Sequence, residues 1–579
     1  MAKCIYICSR QTLQHSARSF LQTICEKLAP DNIIANKPKI LVGEDIAYGI
    51  MNPTAPVLEK EGSILLGQIY DKTESWNLPR TEFPDGSYAL FREGEEYFEI
   101  VSDPVASRTI WYYADENILV ASTSQRAIAM YLGNFEFDER VIPWMLSTGT
   151  LGPVFSWDKR IKRIPPDSSV ILDKGNWTVS VRSNPIQFEF VKQSDRLHKK
   201  NFIETLRNFF KALDLDYDCW ALPLSGGYDS RGILCFLAEN RNVRCLRTIT
   251  WGLKSSQRVK GNDAYIAKKL AENLGLSHQY YATDLSTEPI EKVISRYLLV
   301  GEGRIDHVAA YMDGFGIWKT LFEDGIKGTI RGDECFGWLR TSSALGVKLT
   351  TGCALCSDYL NLKEYIRYGI PLQEVPQFLD RRKGETFATW RDRLYQEYRI
   401  PTILSALSDL KLSYVEQISP FLSKKIIQQV RHLPDHLRTE KKIFKNILRT
   451  IGPRIDFATS EATALPGDII KGTQFVEYLR KELASDKAKE MFRKEFLDSI
   501  LEGIRTGTHE KISKKKLGSL KRYAKKYLPL FLIRAIRKVS PPVVNRHVLA
   551  FRVFLIYKMN EILKEDSLIK EDLLAGGSK

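Results

Sequence analysis

The sequence predicts an α/β protein: a β-rich first part, then a doubly wound parallel-sheet domain with a helical C-terminal region. Three observations predict it. Short alternating runs at 64–70, 86–91 and 97–101 recur before residue 190, with turn chemistry such as Pro84-Asp85-Gly86 between them. After the polar stretch 191–196, strands begin to alternate with helices: strand 219–224, helix 230–240, strand 244–251, helix 263–274. From about residue 355 the apolar positions keep helical spacing. A late hairpin is expected over 170–179.

Bulk properties narrow the class. A chain of 579 residues is too long for one core and fits two or three domains. With 44% hydrophobic and 27% charged residues, disorder is not the default expectation. No stretch of roughly 18 apolar residues is present to span a membrane. The apolar part of 1–8 is too short for a secretory signal and reads as a first strand, so a cytoplasmic location is expected. The nine scattered cysteines then read as reduced thiols, and Cys353-x-x-Cys356 lacks the further ligands that structural zinc takes.

The chemistry is concentrated in one loop. Leu222-Pro223-Leu224 ends a strand, and Ser225-Gly226-Gly227-Tyr228-Asp229-Ser230 turns into a helix. Two glycines let backbone N–H groups approach a phosphate, and the helix start adds unpaired donors and partial positive charge. Asp229 would repel that phosphate unless Mg²⁺ bridges the two. No lysine follows the glycines, so this is not a Walker loop.

Ser-Gly-Gly-x-Asp-Ser resembles the pyrophosphate loop of the PP-loop ATPases, and the surrounding chain is similar to asparagine synthetase and its relatives. The resemblance implies that Leu224, Ser225, Gly226, Gly227, Asp229 and Ser230 hold the phosphates of ATP while a carboxylate attacks the α-phosphate and pyrophosphate leaves. It implies that Thr250 and Trp251 bind adenine mainly through backbone. Gly332-Asp333-Glu334-Cys335-Phe336-Gly337 resembles the family's Gly-x-Asp-Glu-x-Phe-Gly, making Asp333 the second Mg²⁺ ligand beside Asp229. Lys445-Asn446-Ile447-Leu448-Arg449 resembles Lys-x-x-Leu-Arg, and Lys445 would neutralise charge developing in the reaction. Glu416-Gln417-Ile418-Ser419-Pro420-Phe421-Leu422 resembles a further motif, but Ile418 and Ser423 replace its arginine and aspartate, so Glu416 receives no catalytic role. The likeness is strong over 200–450, moderate before and poor after about 505. It implies a degenerate glutaminase-like domain over 1–190, a synthetase domain over 196–505 and a basic helical extension over 506–579.

In the family the first domain is an αββα N-terminal-nucleophile sandwich whose nucleophile is a cysteine exposed by removal of Met. Here Ala2 follows Met1, Cys4 lies too far in, and 70–83 is shorter than the family's glutamine-holding region. The expectation is a scaffold without glutaminase activity. Relatives lacking that cysteine include the β-lactam and carbapenam synthetases and the lasso-peptide cyclases. The β-lactam type has a Tyr three residues before the metal aspartate, where this chain has Ile330. The preferred expectation is therefore macrolactam formation on a precursor peptide. Amidation of a metabolite or sugar acid with ammonia is the alternative, and a non-catalytic nucleotide-binding interaction protein is a third. Asp306 and His307, in 301–307, are candidates either for the acyl pocket or for plain structural polar groups.

The net charge is +15, and 511–550 holds twelve Lys or Arg with no Asp or Glu. Interleaved Tyr523, Tyr527, Phe531 and Ile533 suggest basic amphipathic helices. Two readings stand: a solvated face of a helical subdomain, or a dock for a pathway protease, an exporter or a membrane surface. No nucleic-acid motif accompanies the charge.

Overall fold

In the computed structural model the described residues are 3–13, 16–53, 57–71, 73–240, 243–504 and 542–576. The basic run 511–538 lies outside them.

The first part holds two six-stranded antiparallel sheets. One contains β1 (Lys3–Ser9), β2 (Lys39–Val42), β3 (Ile46–Met51), β8 (Trp111–Ala114), β9 (Ile118–Ser122) and β10 (Lys162–Arg163), in the order β10-β8-β9-β1-β3-β2. The other contains β4 (Val57–Lys60), β5 (Ser63–Ile69), β6 (Gly86–Arg92), β7 (Tyr97–Ser102), β11 (Ser168–Asp173) and β12 (Thr178–Ser183), in the order β12-β11-β7-β6-β5-β4. The expected first strand and late hairpin are β1 and β11–β12. Alternation assigns the faces. Cys4, Tyr6 and Cys8 point between the sheets to meet Ile64, Leu66, Phe91 and Phe98. Ile5 and Ile7 point the other way, with Leu21, Ile24 and Cys25 of helix Ala17–Lys27.

The expected αββα sandwich needs one correction. Among the described residues, α-helices cover only the first sheet. The outer face of the second sheet carries a small cluster of Leu65, Tyr88, Leu90 and Val101 under Phe83 and Trp76. The described residues of 70–85 form no helix and serve as that cover, because so short a connection cannot return as a packed helical layer.

The second part is a five-stranded, wholly parallel sheet of β13 (Trp220–Pro223), β14 (Arg247–Gly252), β15 (His278–Ala282), β16 (Gly328–Ile330) and β17 (Glu416–Ile418), in the order β15-β14-β13-β16-β17. Helices Asp229–Asn240 and Asp263–Asn273 follow β13 and β14, as the alternation predicts. The chain winds outward from β13 to β15, then returns to β16 on the other side. The strand order therefore reverses between β13 and β16. In such sheets the crevice beyond the strand ends at the reversal is where ligands bind.

Helix Arg546–Gly576 does not stand apart as an extension. It packs on helices Gln125–Leu132 and Val141–Thr148 of the first part, with Arg126 on Asp566 at 2.7 Å. Arg552 of the same helix pairs with Asp306 at 2.7 Å. Burial pushes the Asp306 carboxyl up, but Arg552 and His307 outweigh it and hold it at about 2. Asp306 thus anchors this helix, in line with the structural reading of the two. Among the described residues, no helix is long and apolar enough to cross a membrane.

Candidate active site

The loop after β13 and the segment after β16 meet at the reversal point. Leu224 N–H donates to the Ile249 carbonyl and Thr250 Oγ1 donates to the Leu224 carbonyl, fixing the loop's entry against β14. Asp229 opens the helix that follows. From the neighbouring strand, Arg331-Gly332-Asp333-Glu334 runs directly against it. A Cβ at Gly332 would lie 3.0 Å from the Asp229 Cβ and 3.1 Å from the Ser230 nitrogen. Only glycine lets the two acid-bearing segments approach this closely.

A cation already bridges the acids. Lys441 Nζ stands 2.7 Å from Asp229 Oδ2 and 2.8 Å from Glu334 Oε1. Glu334 is 2% exposed. Burial raises its carboxyl to about 7, with Asp229 adding to the rise and Lys441 opposing it. The Lys441 ammonium is pushed up by the two acids despite its own burial. Glu440 and Lys441 both have left-handed backbone, φ 60° and 58°. Two such residues in sequence cost about 1–3 kcal/mol each. The bend is held by Glu440 N–H on the Trp338 carbonyl, and it turns Lys441 toward the acids just before helix Lys442–Ile451.

Lys445, the lysine of the Lys-x-x-Leu-Arg segment, lies on that helix one turn on. Its ammonium sits 5.3 Å over the Tyr228 ring of the loop, and Arg449 reaches the Tyr228 hydroxyl at 3.4 Å. Asp333 accepts from Arg331 at 3.3 Å and from Ser419 Oγ at 3.5 Å.

The loop's donors are held by nearby side chains. Gly226 N–H donates to Asp263 at 3.1 Å, Gly227 N–H to Ser225 Oγ at 3.2 Å, and Ser225 N–H to Ser230 Oγ at 3.0 Å. Over them lies a strap, residues 455–462. Ala458 N–H donates to the Gly226 carbonyl, and Leu253 N–H donates to Ala462. Phe457 stacks on Tyr228 at 3.9 Å and under Arg231 at 3.8 Å. A Cβ at Gly226 would meet Ala458 at 2.3 Å, whereas one at Gly227 would meet only Ser225 Oγ at 3.2 Å. Gly226 is therefore required by the strap, and Gly227 is the glycine that faces open space. Beside Trp251 a cavity of about 130 Å³ opens between Thr283, Ala309 and the strap's end at Glu461 and Thr463.

The arrangement can hold a phosphate chain and a divalent cation. Asp229 Oδ1 is buried with no hydrogen-bond partner, which is what a ligand-accepting oxygen looks like when its usual neighbours are missing. Lys441 shows that positive charge is stable between the acids. Among the described residues, no cluster of three or more His, Cys, Asp or Glu has metal-ligand geometry. A cation here would take most of its ligands from phosphate and water, as Mg²⁺ commonly does.

Residues 220–310 match the family model for asparagine synthase. The match takes in the loop and β13 to β15, and it stops before Asp333, Lys441 and Lys445. No curated protein matches the chain. Among solved structures, glutamine phosphoribosylpyrophosphate amidotransferase from B. subtilis, complexed with ADP and GMP, is similar at 10% identity over 50% of this chain and 83% of its own, with a TM-score of 0.21. The allosteric regulatory enzyme of purine biosynthesis is similar at 10% identity over 50% and 81%, with a TM-score of 0.20. Likenesses this slight carry no weight beside the strand order itself.

Lys441, Glu334 and the strap were not singled out by the sequence. Lys441-Lys442 precedes Lys445 in the chain, so a lysine cluster was visible. Which lysine turns inward depends on the left-handed bend at 440–441, and no glycine or asparagine marks it.

Proposed function

We propose that this chain is an ATP-dependent, AMP-forming carbon–nitrogen ligase that adenylates a carboxylate, releases pyrophosphate and transfers the acyl group to an amine. The observation that carries the reading is the close approach of Asp229 and the Gly332-Asp333-Glu334 segment at the reversal point, with the Ser225–Ser230 loop on one side and Lys445 over its Tyr228. Ser225, Ser230 and the loop amides would bind the pyrophosphate end of ATP. Thr250 and Trp251 would border the adenine, next to the cavity under the strap. Asp229 and Asp333 would hold Mg²⁺, which when bound neutralises phosphate charge. Lys445 would neutralise the charge that builds at the reacting centre.

The amine comes with the substrate in this reading, and the product is a macrolactam on a precursor peptide. Support comes from the first part of the chain. Cys4 is 1% exposed inside the sandwich, its N–H donates to Thr123 Oγ1, and burial pushes its thiol well up. A thiol so placed is not a nucleophile for glutamine, so ammonia has no evident source within the chain.

The test is pyrophosphate release with Mg-ATP and candidate acids. Release should depend on both acid and ATP, and it should vanish in Asp229→Asn. Nucleotide binding with no acid-stimulated release, across peptide and small-acid panels, would sink the ligase reading. Release of ammonia from glutamine by the intact protein would overturn the account of the first domain.

A further inference from the structure

A cavity of about 260 Å³ lies where the end of the sandwich meets the second part of the chain. No residue of the candidate active site lines it. Pro165 and Pro166 follow β10, Pro185 follows β12, and Pro153 joins them in the wall. Phe378 enters from the second part, and Ile186, 4% exposed, adds to the apolar surface. Proline has a fixed φ and no N–H. Four of them make a stiff wall that lends a ligand no amide donor.

The sandwich contributes one charged side chain to this wall, Arg163 of β10. Its guanidinium is held by neutral acceptors alone. Nη1 donates to the Pro401 carbonyl at 3.1 Å and to Thr402 Oγ1 at 3.1 Å, and Nη2 donates to the Pro153 carbonyl. A guanidinium carries five N–H donors, so two make no hydrogen bond among the described residues. Among those residues Arg163 also forms no ion pair, whereas the buried Arg92, Arg126 and Arg296 each meet a carboxylate. Burial pulls the Arg163 guanidinium down to about 10, against a weaker opposing influence from Tyr398. The other charged residue of the wall, Glu397, is already matched by Arg393 at 2.6 Å and Arg382 at 2.8 Å. The cavity therefore keeps one unbalanced positive charge in an apolar setting.

A desolvated cation without a counter-ion is costly, and an anion that joins it relieves that cost. The matching ligand carries a carboxylate for the free donors of Arg163 and hydrocarbon for the rest of the wall. An apolar cavity of roughly 150 Å³ takes up benzene, so about 260 Å³ has room for a ring and a short acyl chain.

We propose that this cavity is a binding site for a small apolar carboxylic acid, whose carboxylate pairs with Arg163 and whose hydrocarbon body lies against the proline-lined wall. The proposal is independent of the ligase reading, since the two sites share no lining residue.

The experiment is calorimetric titration of the intact chain, without nucleotide, with 3-phenylpropionate. The neutral 3-phenylpropionamide is the control for charge. Wild type should bind the acid and bind the amide at least 10-fold more weakly, the range of a charge-assisted hydrogen bond. Arg163→Met should lose the same factor and should no longer distinguish acid from amide. Val154 stands on the rim, 46% exposed, and Val154→Trp fills the cavity without removing any group that Arg163 bonds. That variant should abolish binding of both compounds, and it carries the test if Arg163→Met does not fold. No acid binding by wild type overturns the site, as does equal affinity for acid and amide. Acid binding that survives Val154→Trp unchanged places the ligand elsewhere and also overturns it.

Discussion

Two regions of this chain carry residue types that active sites use, and they differ in how those residues are buried. In the sandwich, the thiol of Cys4 is packed among Tyr6, Phe91 and Phe98, and its backbone N–H is satisfied by Thr123. At the end of the parallel sheet, Asp229 has an oxygen without a partner, and two left-handed residues hold Lys441 between Asp229 and Glu334. The difference shows that a reactive residue type is not a site. What marks the crevice is polar chemistry held in place at a cost in stability, and such cost persists where the surrounding fold over-determines it.

The comparison can be broken most directly at Asp229. Asp229→Asn should lower acid-dependent pyrophosphate release by about 100-fold or more, with the circular dichroism spectrum unchanged; retained release would remove the crevice from the chemistry. Next is Lys441→Met, which leaves Asp229 and the buried Glu334 facing each other. Breaking a buried pair costs about 3–5 kcal/mol, to be read as a lower Tm. The cost should depend on pH. Glu334 has a folded pKa raised to about 7 with Lys441 present, and higher without it. An acid with a raised folded pKa loses stability as pH rises from its unfolded value through its folded one. The variant therefore keeps losing stability beyond pH 7 where wild type has stopped, and the gap in Tm should widen above neutrality. A gap that closes there would contradict the pairing.

Smaller effects separate the two glycines. Gly226→Ala forces a methyl onto Ala458 and should cost about 1–3 kcal/mol in denaturant unfolding. Gly227→Ala should cost less in stability while weakening ATP binding. The reverse order would mean that the strap does not lie on Gly226. The smallest effect belongs to the other region. Cys4→Ala should cost about 1 kcal/mol of packing and leave pyrophosphate release unaltered; a loss of that activity would make the sandwich more than a scaffold.

Much of this was legible beforehand, for local reasons. The Ser225-Gly226-Gly227-Tyr228-Asp229-Ser230 loop sits between a strand and a helix because its residues allow little else. Asp333 was legible through the Gly-Asp-Glu segment. Lys441 was not, because its role depends on a backbone bend set by Trp338, more than a hundred residues after the loop it serves. Asp306 was legible only as polar, since its partner Arg552 lies on the terminal helix. The αββα layering was inferred from resemblance, and the short 70–85 connection decided against its second helical layer.

The sequence by itself determined the alternation of strands and helices, the Ser225–Ser230 turn between β13 and its helix, and the identity of both metal-ligand candidates. These depend on side-chain period and on glycine at fixed places, which are properties of neighbours in the chain. Only the tertiary structure decided the strand order that brings Asp229 against the Gly332-Asp333-Glu334 segment, and the lysine that bridges Asp229 to Glu334. Each depends on which distant segments share a crevice, and hydrophobic packing of the two parts, not local propensity, sets that.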